Sequence, residues 1–585
     1  MVNPGRIILG ILLFAVIILT QPHCAKVVAP TGGPKDTIPP VLVRSNPEMF
    51  STNFKGNRVS LYFDEFVQLR ETMKKLVLSP PQDQLPEFQM RGKRIDFEFS
   101  EPLRENTTHT LYLSDAIADN NEGNRIPNFE FAFSTGIEID TLSLAGRVVD
   151  AFSLDPLEGV FVMLYSSFED SLPITQKPSH VTKSSKEGLF RLNNIGAAEY
   201  KIFALVDQNT NYLFDQITES IGFLNVPIPD SLLKPRSHYP NFMVDETMPS
   251  NLLTLYLFVE ETRVQSLTDI SRKHRRSITL GFSKNPSGDV SIKPIGVATS
   301  EHWYITERNI KGDSLTFWIT DTTISNIDTL SIQAHYYRTD SLFNLFRVTD
   351  TLRAFYFPTT SPTDPPRRRR HEEVEKKPIT PVKTSVTGGT SMLPNQPIEL
   401  SLTMPPYQAE RGYISLLNLR DSVWVESFTF EPDTLNPRKY RIEYPWEANV
   451  SYELVALPGA FIDLDGLPND TLKLTIRGAN PEEFGTIMLD LKGVTPNVIV
   501  QLITDKGVVI DAKAATEDTT VVFSFVRPGK YSFRFIKDTN MDGVWNTGRY
   551  MEGLQPERVI LYEENGKPNI ITVRANWEYE LNYTF

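Results

Sequence analysis

Apolar and polar residues alternate with a period of two along most of this chain. RVSLYFDEF at 58–66 and RIDFEFS at 94–100 show the pattern, as do LLTLYLFVE, RSITLGFS, DSLTFWIT, DTLSIQAHYYR and DTLRAFYF between 252 and 357. Neighbouring side chains on a strand point to opposite faces, so this period predicts half-buried β-strands. Residues 109–136 read as strand, polar turn, strand, and only QLRETMKKL at 68–76 suggests a short helix. Short strands separated by turns predict sandwiches of about 100 residues each. Proline outnumbers glycine 42 to 31, which suits firm turns better than long helices. The expected fold class is all-β, with tandem β-sandwiches in an elongated array, and 585 residues leave room for about four or five such units.

The N-terminus departs from this pattern. Arg6 precedes IILGILLFAVIIL at 7–19, a run of 13 apolar residues. A membrane-spanning helix needs about 20, so the run reads as the core of a signal peptide at 1–23. Cys24, the only cysteine, follows five residues later, so no internal disulfide or cysteine metal site exists. Its position resembles the lipid-attachment cysteine of a bacterial lipoprotein. Gln21 and His23 stand where such proteins usually carry Leu and a small residue. An uncleaved signal anchor is the other reading, and both carry the rest of the chain out of the cytoplasm. Residues 24–37, rich in Pro and Gly, read as a tether.

PTGGPKD at 30–36, the strand pattern that follows it, and FAFSTG at 131–136 resemble the N-terminal bacterial Ig-like domain of Bacteroidota outer-membrane lipoproteins. That resemblance implies an Ig-like domain at 38–137. LAGRVVD at 144–150, PLEGVFVMLYSS at 156–167, KEGLFRLNNI at 186–195 and AEYKIFALVD at 198–207 resemble carboxypeptidase-regulatory-like or Cna B-type modules, which are prealbumin-like sandwiches. This places a second module at 141–230. A third sandwich, Ig-like, is expected at 248–358, where no motif narrows the type further. A charged, Pro-rich linker follows at 359–384. Residues 385–478 then parallel the first sandwich, and 484–585 echo the four strand signals of the second. The order therefore predicts an internal duplication.

The echo brings two polar loops into register. KDTNMDGVWNTG at 537–548 places Asp538, Asn540, Asp542 and Asn546 at alternating positions, with Gly543 among them. VDQNTNYLFDQ at 206–216 places Asp207, Asn209, Asn211 and Asp215 at the matching points, with Phe214 opposite Trp545. Alternating Asp and Asn with a central Gly opens like an EF-hand loop, which would hold structural Ca2+ through oxygen ligands. Position 12 of such a loop, normally a bidentate Glu, is Arg549 in the later copy, with Glu552 three residues on. In the earlier copy it is Thr218, with Glu219 next, and Tyr212 replaces Gly543. The alternative is a metal-free turn in which Asp and Asn cap backbone N–H groups. No cofactor is required by either reading.

Catalytic motifs are not evident, and the eight histidines never fall at i, i+4. His335 reads as a satisfied strand residue, and Asp64 and Glu65 are adjacent, so they cannot pair across one face. The expectation is a non-enzymatic protein. A net charge of -13 argues against nucleic acid. The basic clusters RRRR at 367–370 and SRKHRRS at 271–277 read as solvated, with anionic sugars or lipid headgroups as the other reading. The expected partners are outer-membrane lipid through Cys24 and proteins of the outer membrane. The periplasmic and surface-exposed faces both stay open. Trp303, Tyr304, Trp424 and Trp446 support an alternative reading as a carbohydrate-binding or carbohydrate-processing lipoprotein.

Overall fold

The computed structural model describes residues 36–236, 252–357 and 378–585, apart from 217, 496, 565 and 566. The predicted signal peptide, Cys24, nearly all of the tether, and the RRRR stretch lie outside the described residues. The fold is all-β: five β-sandwiches, I to V, form an elongated tandem array. The three α-helices among the described residues are single turns, such as Thr72–Lys75 within the expected helical stretch. Among the described residues no helix is long and apolar enough to cross a membrane.

Sandwich I pairs two sheets. One runs in the order Leu42–Asn46, Arg58–Phe63, Arg94–Glu98, Glu87–Arg91, and the other Val77–Ser79, Thr108–Ser114, Phe129–Ser134. Alternate residues of these strands, among them Leu61, Ile95, Phe97, Phe131 and Phe133, fill the core. Sandwich IV repeats this order with Val382–Thr384, Ile398–Leu402, Lys439–Glu443 and Thr429–Pro432. Sandwich III does so too, with Leu267–Ser271, Ser277–Phe282, Ser314–Ile319 and Tyr304–Arg308, although no sequence motif had tied it to the others.

Sandwiches II and V share a different topology. In II, Leu142–Asp150 lies between Leu189–Ile195 and Leu253–Val259, and its pairing with the latter is parallel. In V, Gly485–Lys492 lies between Thr519–Val526 and Glu578–Thr584, again parallel to the last strand. The remaining strands follow the same order, although in II Ser220–Phe223 also pairs with Leu253–Val259 to join the sheets, and in V Ile571–Val573 adds to Gly529–Asp538. Gly146 permits the parallel contact in II, because a Cβ there would sit 2.7 Å from the Leu253 carbonyl oxygen and 2.4 Å from the Phe190 ring.

Two expected boundaries move. Leu253–Val259, taken as the start of the third sandwich, instead completes II: its Leu255 and Leu257 side chains fill the core of that module. Sandwich II therefore reaches Val259, well past 230. The linker is also shorter than 359–384, since Thr380 bridges to Asn469 and Val382–Thr384 pairs with Ile398–Leu402 in IV. Local alternation located both strands but carried no record of their partners.

Neighbouring sandwiches are joined by specific contacts. III is joined to IV by a fork between Arg438 and Glu307, whose carboxylate also accepts from the Trp318 indole at 2.7 Å. Trp318, Met404 and Leu464 pack together at this joint. The cluster at 271–277 is only partly solvated: Lys273 is exposed, but two of its arginines are buried. Arg272 is buried and donates to the Ser325 and Ile327 carbonyls, while Arg276 is buried against Asp465 of IV. I meets II where the Tyr112 hydroxyl accepts from the Asn193 N–H at 2.9 Å and Asn194 donates to Thr110.

Candidate functional site

The paired loops share most, though not all, of their hydrogen-bond pattern. Each begins at a strand end: Asp207 directly follows Lys201–Val206 in II, and Asp538 closes Gly529–Asp538 in V. Asp207 accepts from the N–H groups of Thr210 and Tyr212 at 2.6 and 2.7 Å. Asp538 accepts from those of Asp542 and Gly543 at 3.2 and 3.0 Å, and from the Asn497 amide. Asn209 and Asn540 each accept from the N–H two residues on, as do Asn211 and Asp542. Asp215 accepts from the Asn209 and Asn211 amides. In the later loop the roles invert: the Asn540 and Asn546 amides both donate to Asp542 at 2.9 Å. Those amides and the Val544 N–H hold the Asp542 carboxyl below its usual range.

The backbone matches as well. Thr210 and Met541 share φ values of 59° and 61°, and Tyr212 and Gly543 share 63° and 79°. Glycine adopts this left-handed conformation freely, whereas a bulky residue is strained there. The expected strain at Tyr212 is present, and its ring is buried 5.0 Å from Phe161 in partial compensation.

A glutamate completes each loop. Buried Glu219 accepts from the N–H groups of Gln208, Asp215 and Gln216. Buried Glu557 accepts from Thr539 through both N–H and hydroxyl, and from the Asn546 N–H. Glu557 thus takes the place that sequence spacing had assigned to Arg549 or Glu552. Those two pair with each other at 3.4 Å, and Glu552 also pairs with Arg263. The signal was present in the first copy, where Glu219 lies next to the expected position. In the second it was displaced, because Asp538 to Glu557 spans 19 positions against 12 from Asp207 to Glu219.

Calcium requires six to eight oxygens turned toward one point. Here the oxygens of Asp538, Glu557, Asp207 and Glu219 turn toward peptide N–H groups. Among the described residues, no three His, Cys, Asp or Glu side chains gather as a metal-holding group. The donor set fits a self-satisfied Asx turn better than a cation cage.

The extra residues of the later loop have a clear destination. Tyr550 is 7% exposed and inserts between Phe203 and Phe223 of II, with ring centroids 5.4 and 5.1 Å away. Its hydroxyl donates to the Asp170 carbonyl and its N–H to the Glu260 carboxylate. Burial pushes the phenol pKa upward. Thr547 donates to the Val259 carbonyl at 2.8 Å, and Gln555 to that of Phe223 at 3.1 Å. Gly548 passes so close to Phe258 that a Cβ would lie 2.5 Å from the ring. Trp545 stays with its own sandwich, donating to the Glu557 carbonyl while its ring meets Phe152 of II at 5.2 Å. Between the two sandwiches lies an open cleft of about 580 Å³, walled chiefly by Phe152, Phe258, Ile499, Ile536 and Trp545.

Other candidates separate. Asp463 is buried and caps the Asp465 and Leu467 N–H groups. His335 contacts the Thr349 hydroxyl. Trp303 and Trp446 are buried in their sandwich cores with Tyr304 packed alongside Trp303, so only Trp424 of the proposed sugar-stacking set is exposed.

A search of curated proteins finds no match to the chain. Among solved structures, the surface layer protein SbsC, domains 1–6, is 9% identical over 91% of this chain and 68% of its own, with a TM-score of 0.15. The Bacillus anthracis TIE protein is 10% identical over 95% of this chain and 75% of its own, with a TM-score of 0.12. The titin Ig tandem A164–A165 is 8% identical over 37% and 96%, with a TM-score of 0.13. Residues 36–135, which build sandwich I, match the family of bacterial Ig-like domains.

Proposed function

We propose that this protein is a non-enzymatic scaffold of the bacterial cell envelope, lipid-anchored to the outer membrane through Cys24 and acting as a subunit of an outer-membrane protein complex. The observation that carries this reading is the return of V onto II, made by Tyr550 across hundreds of residues of chain. Inter-domain contacts within a chain often leave domains free to move. Here an aromatic plug and a set of hydrogen bonds hold V on II, and the Arg438–Glu307 fork holds III on IV, so within each pair the outer faces keep fixed relative positions. Fixed faces lower the ordering cost of docking a partner. The topology that II shares with V supports assigning both as carboxypeptidase-regulatory-like modules, and the PTGGPKD stretch supports a Bacteroidota source.

Affinity purification of the full chain in mild detergent tests the reading. Stoichiometric outer-membrane proteins are expected to co-purify. A monodisperse, partner-free chain would remove the complex, and an unmodified Cys24 in mass spectrometry would remove the anchor. The carbohydrate reading keeps Trp424 as its exposed aromatic, and a glycan array decides it.

A further inference from the structure

Sandwiches I, III and IV close the same hairpin in different ways. In I, Asp119 accepts from the N–H groups of Asn121, Glu122 and Gly123 inside a polar turn. In IV, Asp463 accepts from the N–H groups two and four residues on. In III, Asp340 makes the same pair of bonds, to Leu342 and Asn344, both at 2.8 Å. The cap is shared but the residues it displays are not. The turn in III reads DSLFNLF, and Leu342, Phe343, Leu345 and Phe346 are 77%, 49%, 47% and 39% exposed.

This tip is displayed by a built device. Its strands, Thr329–Thr339 and Leu345–Phe355, pair over all 11 residues, whereas the neighbouring Ser291–Pro294 reaches only to His335. The last pairs of the ribbon therefore extend beyond that neighbour, and Gln265 braces them through the Thr339 N–H and the Tyr337 carbonyl. Phe343 sits at φ 62°, a left-handed conformation that costs free energy for a phenylalanine and is ordinarily given to Gly or Asn. Arginines surround the apolar residues. Arg338 stacks on Phe346 at 5.3 Å and Arg263 on Phe343 at 5.6 Å, while Arg347 follows directly in the chain. No carboxylate among the described residues lies within ion-pair distance of Arg338 or Arg347, and the exposed Asp340 carboxylate accepts from the Leu342 and Asn344 N–H groups.

We infer that the tip of this hairpin is a membrane-contacting element that inserts Leu342, Phe343, Leu345 and Phe346 into the interface of a bilayer carrying anionic headgroups. A short apolar tip collared by guanidinium groups, of which those of Arg338 and Arg347 have no carboxylate partner among the described residues while Arg263 pairs with Glu552, matches the layering of that interface, apolar chains beneath phosphate. A protein site would more often be flat or concave and rimmed by polar groups. The chain's net charge of -13 does not oppose this, because at physiological salt charges beyond about 8 Å are screened and the collar dominates at contact. The inference rests on the envelope reading only for the location of the bilayer.

The test uses the full mature chain with Cys24→Ser, so that no acyl chain contributes, and vesicles of phosphatidylethanolamine with phosphatidylglycerol. Flotation with these vesicles is expected, and about tenfold less with phosphatidylcholine alone. Leu342→Ser, Phe343→Asn, Leu345→Ser and Phe346→Ser together are expected to abolish it. The Asn suits the left-handed position, so the turn keeps its fold. Arg338→Gln with Arg347→Gln is expected to remove the preference for phosphatidylglycerol. As a second readout, Leu342→Trp should show a blue-shifted emission that brominated acyl chains quench. A chain that never floats, or a quadruple variant that floats unchanged, overturns the inference. Cys24 acylation is read separately by mass spectrometry, so loss of the anchor and failure of the tip are distinguishable.

Discussion

Replacing Tyr550 by Ala removes the plug that seats V on II. The ring is almost fully buried between Phe203 and Phe223. A buried aromatic contributes 150–250 Å² of area, about 4–6 kcal/mol at 25 cal/mol per Å², and measured truncations cost about 3–5 kcal/mol. Thr547, Gln555 and the Arg263–Glu552 ion pair remain, so docking is weakened rather than abolished. With about 3 kcal/mol lost, the undocked population rises on the order of 100-fold. Tyr550→Phe loses only the bond to the Asp170 carbonyl, about 1 kcal/mol, or roughly fivefold. Small-angle scattering should show a larger radius of gyration for Tyr550→Ala. Hydrogen exchange should quicken across 547–555, where the Tyr550 N–H is protected by Glu260. The strands of the II core should exchange at wild-type rates, since they are paired within their own sandwich. If Tyr550→Ala leaves both the radius and the exchange of 547–555 unchanged, the contact does not hold V on II.

Three further outcomes follow from the same geometry. Asp538→Ala strands the N–H groups of Asp542 and Gly543 and the Asn497 amide, and should destabilise V by about 2–4 kcal/mol in urea unfolding; on the full wild-type chain millimolar calcium should leave Tm unchanged, and a rise that Asp538→Ala cancels would assign the loop to calcium. Arg438→Met leaves the mostly buried Glu307 without its fork and should loosen III from IV by about 2 kcal/mol, less than for a fully buried pair because Arg438 is one-third exposed, and a double-mutant cycle with Glu307→Gln reads the coupling. Burial pushes His180 down to about 4, with Arg104 adding to the effect, so the folded state binds its proton less readily than the unfolded chain; the stability this supplies is complete above pH 6.5 and is lost as pH falls toward 4, roughly 3 kcal/mol that His180→Gln should flatten in pH-dependent melts.

The alternation of RVSLYF, RIDFE and their counterparts was enough to read the all-β class, because one face of each strand is buried and the other wet. It was not enough to assign Leu253–Val259 to a sandwich, since parallel pairing with Leu142–Asp150 joins residues that no local pattern links. The duplication was legible because the strand signals of II recur in V. The kinship of III with I and IV was legible only as a general Ig-like pattern, because strand order is shared where residues are not. In the loops, the Asp and Asn positions could be read directly, as each bonds within a few residues of itself. Glu557 could not be located by counting from Asp538, because seven more positions intervene than in the first copy. The 271–277 cluster misled for a related reason: Arg272 and Arg276 look like solvent residues until the carbonyls and the Asp465 carboxylate that surround them are folded into place.

The two loops show how a repeated turn acquires a second role without losing its first. The polar frame is the same in both: an Asp at the strand end, Asx residues alternating outward, and a glutamate returning to close the N–H groups. That frame satisfies its own backbone, so the segment between the central turn and the glutamate is free to vary in length. In II the segment is short, and Tyr212 and Phe214 turn onto the outer face of their own sheet. In V it is longer and carries Tyr550 onto that same face of II. The face covered partly from within by one copy is therefore completed from outside by the other. Insertion at this one point changes contact between sandwiches while leaving each sandwich's core intact, which explains why the loop is polar and self-contained at its base and aromatic at its reach.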